Sequence, residues 1–133
     1  MKDEIQTVLM ERELPFPPEK IWRALTTPHL LAEWLMQNDF KAEGGHRFQF
    51  RADWGHVDCK VLAIEAQKSI SYSWNAMGLE SVVTWTLSPT SRGTHVKMEH
   101  AGFKPEQKQA LAGAKFGWQR FLDKMETFLE TAP

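Results

Sequence analysis

The chain of 133 residues contains a single cysteine, Cys59, so it cannot close an internal disulfide, and a reducing, cytoplasmic setting is the natural expectation. Long apolar runs are missing as well. Met1 to Met10 holds no uninterrupted apolar stretch of signal-peptide type and no later segment reaches membrane-spanning length, so no membrane insertion is expected. Blocks of like charge are also absent: 16 basic and 17 acidic residues are interspersed to a formal net charge of -1. That balance argues against nucleic acid and anionic membranes as partners. The motifs of covalent and metal chemistry are missing too. There is no cysteine pair, no HExxH, no G-x-S-x-G elbow and no P-loop, and Gly44-Gly45 is too short to cradle phosphates. His46, Asp53, His56 and Asp58 gather near one hairpin and read as solvated turn residues, while Cys59 reads as a small buried hydrophobe in a strand. No metal, no cofactor and no catalytic residue is therefore expected.

What the chain does hold is aromatic surface, with 6 Trp, 8 Phe and 1 Tyr in a length that supports one domain, residues 1–133, burying roughly two-thirds of its unfolded surface. The longest periodic segment runs from Pro105 to Glu130. Leu111, Ala114, Trp118, Phe121, Leu122, Met125, Phe128 and Leu129 recur at intervals of three and four, which predicts an amphipathic helix with Pro105 as its first residue. Gly113 and Gly117 interrupt it. Glycine costs helix stability, so the pair implies that a strand packs unusually close there or that something other than protein lies against the helix.

Ahead of the helix, Glu4 to Leu14 reads as a strand with Val8, Met10 and Leu14 on one face. Pro15, Pro17 and Pro18 end it. Pro18 opens a short helix facing inward with Ile21, Trp22 and Leu25, and Thr27-Pro28 reads as the N-cap and first residue of a second one through Leu30, Leu31 and Trp34. From Phe40 the period changes to two. Turn signals at Gly44-Gly45, Trp54-Gly55, Gly78 and Pro89 to Gly93 separate strands that carry Phe48 and Phe50, then His56 to Ala66, then Ile70, Tyr72 and Trp74, then Val83, Trp85 and Leu87, then Val96 and Met98. An antiparallel sheet with one apolar face needs a cover, and the terminal helix has the complementary stripe.

Three polar residues share parity with apolar neighbours: Arg12, Tyr72 and His100. A polar group so placed must find a partner or border a wet cavity. His100 is open to a core role with hydrogen-bonded nitrogens, Arg12 to escape past the strand end, and Tyr72 to an amphipathic core position. Together they also have the pattern of the few polar groups that orient a guest in an apolar pocket. Trp34, Phe48, Phe50, Trp74, Trp85, Trp118 and Phe121 read individually as core; as a group of large rings they are hard to pack without voids.

The strings Phe16-Pro17-Pro18-Glu19-Lys20-Ile21-Trp22, Leu25-Thr26 with Pro28, Trp34, Gly44-Gly45 with Phe48 and Phe50, Tyr72-Ser73-Trp74, Gly93-Thr94 with Val96, His100-Ala101-Gly102-Phe103 and Gly117-Trp118 span nearly the whole chain. In that order they resemble the START-like (SRPBCC) superfamily, and most closely the branch named for activators of the heat-shock-protein-90 ATPase. The resemblance implies an α+β helix-grip fold: a curved antiparallel sheet of six or seven strands wrapped around a long C-terminal helix, with two short helices after the first strand. It also implies a cavity between sheet and helix for a lipid, sterol, polyketide or other apolar molecule. Cys59 stands where that family often has glycine, and the additional domain of the eukaryotic chaperone activators is expected to be lacking.

The expected function is binding of a small hydrophobic or aromatic molecule, with Arg12, Trp34, Phe48, Phe50, Tyr72, Trp74, Trp85, Met98, His100, Trp118 and Phe121 as the ligand-binding set. Two alternatives stand beside it: an enzyme of cyclase or hydrolase type using His100 or Tyr72 as general acid or base in the same pocket, and an interaction module whose outer surface forms a homodimer or a chaperone contact.

Overall fold

The computed structural model describes residues 6–132, so Glu4 and Ile5 of the expected first strand lie outside the described residues. In chain order it contains β1 (Gln6–Leu14), α1 (Pro18–Thr26), α2 (Pro28–Trp34), β2 (Gln37–Asn38), β3 (Arg47–Ala52), β4 (Gly55–Glu65), β5 (Ser69–Ala76), β6 (Leu79–Pro89), β7 (Thr94–Phe103) and α3 (Lys108–Thr131). The strands form one open antiparallel sheet in the order β1-β7-β6-β5-β4-β3-β2, which with the long terminal helix and the two short ones is the helix-grip arrangement. Hairpin connections account for that order from β7 to β3, because each strand pairs with its sequence neighbour. β1 closes onto the far side of β7, opposite Thr94 to Phe103.

Alternation decides which face is covered. In β5, Ile70, Tyr72 and Trp74 are buried while Ser69, Ser71 and Ser73 point outward, and β7 buries Thr94, Val96, Met98 and His100 in the same way. α1 buries Ile21, Ala24 and Leu25, and Trp22 is only half-buried against the core rather than fully inward. Thr27 takes the N-cap position of α2 with Pro28 in its first turn, although its hydroxyl makes no capping bond. Trp34 fixes α2 to α1 by donating its indole N–H to the Ala24 carbonyl at 2.9 Å.

Three features differ from expectation. The short strand β2 carries no apolar period and is set by pairing with Phe50 and Arg51, while Phe40 follows it in a loop and packs edge-on against Phe48. α3 begins at Lys108 rather than Pro105. Gln107 accounts for the delay: its N–H donates to the Lys104 carbonyl at 2.9 Å and its side-chain carbonyl accepts the Lys104 N–H at 2.8 Å, closing a turn around Pro105 before the first helical bond. The third concerns Arg12, which neither escapes to solvent nor reaches a cavity. Its guanidinium bridges Asp123 at 2.9 Å and Glu126 at 3.0 Å, clamping β1 to the C-terminal half of α3.

Gly93 is a close-approach glycine. A Cβ there would collide with the Leu14 carbonyl oxygen and sit 2.7 Å from the Phe16 nitrogen, where Thr94 also binds the Phe16 carbonyl. Gly93→Ala is therefore expected to destabilise the protein by about 2 to 3 kcal/mol in urea unfolding. Wild-type stability in that variant would mean that the β1–α1 corner yields.

Candidate functional site

α3 is not buried evenly. Trp118, Leu122, Met125 and Leu129 are fully covered, whereas before Trp118 the helix is exposed or at most half-buried. Where those first turns leave the sheet a half-open groove of about 790 Å³ remains. Its inner wall is Trp74, Trp118, Phe121 and the edge of His100; its helix wall is Ala110, Gly113, Ala114 and Gly117; Trp54 and Met77 stand at its mouth. Nothing lies within 4 Å of a Cβ built on either glycine, so their missing side chains open onto the groove and not onto a packed strand. A second depression of about 440 Å³ beside Trp54 and Met77 is walled by exposed residues at the ends of β4 and β6 such as His56, Asp58 and Glu80, and offers no comparable apolar surface.

Of the residues singled out by sequence, Trp74, His100, Trp118 and Phe121 meet at this groove. Trp34, Phe48, Phe50, Tyr72, Trp85 and Met98 lie deeper, where rings fill the space between sheet and helix. Trp74 and Trp118 have centroids 5.2 Å apart, Trp118 and Trp85 5.7 Å, Trp85 and Trp34 5.8 Å, and Phe48 packs on Tyr72 at 5.5 Å. The three tryptophans Trp74, Trp85 and Trp118 thus touch and close the middle of the molecule, and the open volume is displaced to one end. Arg12 is held elsewhere by its two acids. Met36, Trp54, Met77 and Leu79 also line the groove. They fall in or beside turns, where no periodicity marks them; the glycine pair on α3 was the signal that pointed here.

His100 is the buried polar centre of the wall, with 2% of its surface accessible. Trp118 donates its indole N–H to Nδ1 at 2.9 Å, so Nδ1 must be unprotonated. Ser81 Oγ lies 2.8 Å from Nε2 and donates its own proton to the Trp74 carbonyl at 2.6 Å. The hydroxyl can then only accept from Nε2–H. The network assigns a neutral imidazole protonated at Nε2, and both nitrogens are used. Burial agrees, pushing the pKa of His100 down to about 4. Tyr72 is equally enclosed: its hydroxyl accepts the Trp85 indole N–H at 3.0 Å, and burial pushes its pKa up despite that bond. Burial also raises Cys59, which therefore stays a thiol near neutral pH. Among the described residues no three His, Cys, Asp or Glu side chains gather to hold a metal ion.

The depressed pKa of His100 sets a pH dependence. Above the unfolded value of 6.5 both states are neutral; as pH falls from 6.5 to about 4 the unfolded chain takes the proton first, so stability drops by about 3 kcal/mol and then levels off. In urea titrations the stability difference between wild type and His100→Gln should shrink by that amount between pH 7 and pH 4. A difference independent of pH would show that His100 titrates alike in both states.

No helix among the described residues is long and apolar enough to cross a membrane. The chain matches no curated protein sequence. Among solved structures, it is similar to protein MLL2253 from Mesorhizobium loti at 52% identity and a TM-score of 0.93, over 96% of this chain and 99% of that one. Protein BH1534 from Bacillus halodurans shares 27% identity and a TM-score of 0.85, over 97% and 99%. The fold recurs in DynU16, a protein in the dynemicin biosynthetic locus, at 24% identity and a TM-score of 0.83, over 97% of this chain and 48% of that one. Residues 15–130 match the family model for activator of Hsp90 ATPase homolog 1-like proteins, and the chain belongs to that family.

Proposed function

We propose that this protein binds a small apolar molecule in the groove between the first turns of α3 and the ends of β5, β6 and β7. One observation carries the reading: Gly113 and Gly117 weaken a solvent-facing helix, yet no protein atom occupies the space their missing side chains leave. Two such positions in a helix interior cost about 1 kcal/mol each relative to alanine, which packing against the sheet does not explain. A guest lying along the helix wall does. The volume of about 790 Å³ falls within the range of small-molecule sites.

The polar inventory narrows the guest. No buried side-chain nitrogen or oxygen among the described residues lacks a hydrogen-bond partner, and both nitrogens of His100 are committed to Ser81 and Trp118. The His100 imidazole therefore has no free donor or acceptor for a guest, and what the wall offers is mainly hydrocarbon contact and aromatic faces. The polar groups at the groove's edge are Glu106, Gln107, Lys108 and Gln109. The guest that fits has an apolar chain or ring body inside and its polar group at one end, toward the start of α3. General acid–base chemistry by His100 or Tyr72 would require breaking these bonds first.

Three groove tryptophans make intrinsic fluorescence a direct readout for a panel of fatty acids, sterols and flavonoid-like compounds. A saturable change is expected with at least one class. Absence of a saturable change with every class would defeat the reading. Gly113→Ala and Gly117→Ala should each stabilise the free protein by about 0.5 to 1 kcal/mol, since their Cβ atoms meet nothing. Gly117→Leu should fold normally and lose the fluorescence response; unchanged binding in that variant would place the guest elsewhere.

A further inference from the structure

Two hairpin tips stand at the mouth of the groove, and one of them is strained. Asp58 of β4 pairs with Asn75 of β5, so the β3–β4 turn at Asp53-Trp54 and the β5–β6 turn at Met77-Gly78 lie at the same end of the sheet, and Trp54 and Met77 both line the groove. Ala76 pairs with Leu79, which leaves Met77 and Gly78 as the central residues of the turn, with φ values of 52° and 84°. A two-residue turn with both φ positive favours Asn, Asp or Gly at its first position: the first two hydrogen-bond locally, and glycine has no Cβ to crowd the carbonyl. Met77 has neither property. It is also 87% exposed, so no packing in the free protein offsets the strain. Gln67, the other non-glycine residue with positive φ among the described residues, presents a polar side chain to water.

Trp54 is likewise left uncovered. It is 53% exposed, and of the six tryptophans it alone is exposed. The core requires neither side chain: both lie outside the cluster that joins sheet and helices, whereas Ala76 and Leu79 on either side of the Met77 turn pack against it. Charge sorts what can lie against the two tips. The depression beside them has Asp58 and Glu80 in its wall and no Lys or Arg. Among the described residues Lys108 is the only Lys or Arg lining the groove, and it stands at the start of α3. A carboxylate or phosphate head is therefore repelled at the tips, and hydrocarbon is what fits there.

We infer that Met77 and Trp54 hold the apolar end of the groove's guest, whose body runs from beside Trp118 out to the hairpin tips, where thioether and indole cover it. This rests on the groove being a binding site and adds which end of the guest faces which element: the polar end at the start of α3, the apolar end at the two turns. The unbranched thioether adapts to guests of different outline and makes favourable contacts with an aromatic ring such as that of Trp54. The guest is thereby narrowed to an amphiphile long enough to reach the tips, in preference to a compact ring system held against Trp74, Trp118 and Phe121 alone.

Met77→Asn tests it, because stability and binding should move in opposite directions. Asparagine suits the turn and should raise the melting temperature by about 2 to 5 °C. It also withdraws hydrocarbon from the guest, so the dissociation constant for cis-parinaric acid, a long-chain polyene fatty acid that brightens on leaving water, should rise about ten-fold. The compact dye N-phenyl-1-naphthylamine, which ends short of the tips, should change by less than about three-fold. Met77→Leu should keep the affinity for the acid within about three-fold and bring no rise in melting temperature. Trp54→Ala should weaken the acid as Met77→Asn does. A Met77→Asn protein that binds the acid like wild type, that loses both probes alike, or that melts no higher than wild type overturns the inference. So does self-association of the free protein that Met77→Asn abolishes, which would assign the tips to a second copy. Binding of the compact dye but not of the acid by wild type defeats this inference and leaves the groove reading standing; no response to either probe defeats both.

Discussion

The indole of Trp118 is wedged between Trp74 and Trp85 and gives its only N–H to His100, and the character of α3 on either side follows from that contact. On the C-terminal side the helix stays against the sheet, with Leu122, Met125 and Leu129 fully buried and Arg12 bridging to Asp123 and Glu126. On the N-terminal side Leu111 and Ala114 reach the core only in part and no residue of the helix is fully buried. A helix is straight over a few turns and an open sheet twists away beneath it, so the two part company ahead of Trp118, and the groove is the space between them. The volume is a product of where the anchor sits.

The polar groups illustrate how little a buried network leaves for other uses. His100 was placed correctly on the inward face by parity alone, since Val96, Met98 and His100 alternate with His95, Lys97 and Glu99 in β7. Parity cannot report that Ser81 on the neighbouring strand and Trp118 on the helix exhaust its two nitrogens. The same holds for Tyr72, whose hydroxyl meets Trp85 across the β5–β6 pairing. Desolvation then favours the neutral form of each, because a charge in that setting would face a donor where it needs an acceptor, or lose water without replacement. The network welds His100 into the wall of the groove and Tyr72 into the core behind it.

The order of elements was legible because each rests on local signals that tertiary contacts reinforce: two-residue alternation in β5, β6 and β7, proline at the starts of α1 and α2, and a three-four period in α3. The failures are equally local in cause. β2 is two residues long and exists only through its partner strand, and the start of α3 was moved by a side chain, Gln107, whose turn bonds no pattern encodes. For the site, the rings were recognised but not sorted, because burial against a guest and burial against another ring look identical in sequence. Trp74 and Trp85 sit on adjacent strands with the same parity, yet only Trp74 reaches the groove. The glycines were the better indicator, since they mark an absence of packing rather than its presence.

That asymmetry has an energetic side. A domain of this size is stable by only about 5 to 15 kcal/mol, so two helix glycines that forgo about 2 kcal/mol between them are a substantial concession. Gly93 and Gly102 earn no such description, because a Cβ at either would meet backbone of the neighbouring segment. At Gly113 and Gly117 alanine would fit, and the helix would gain from it. The deficit is confined to the turns that the sheet does not hold, while the half of α3 after Trp118 has its buried leucines, Met125 and the Arg12 clamp to keep it in place. Strength is concentrated where the helix is anchored and given up where it forms a wall, which is the distribution required if the wall must stay clear for a guest without loosening the fold behind it.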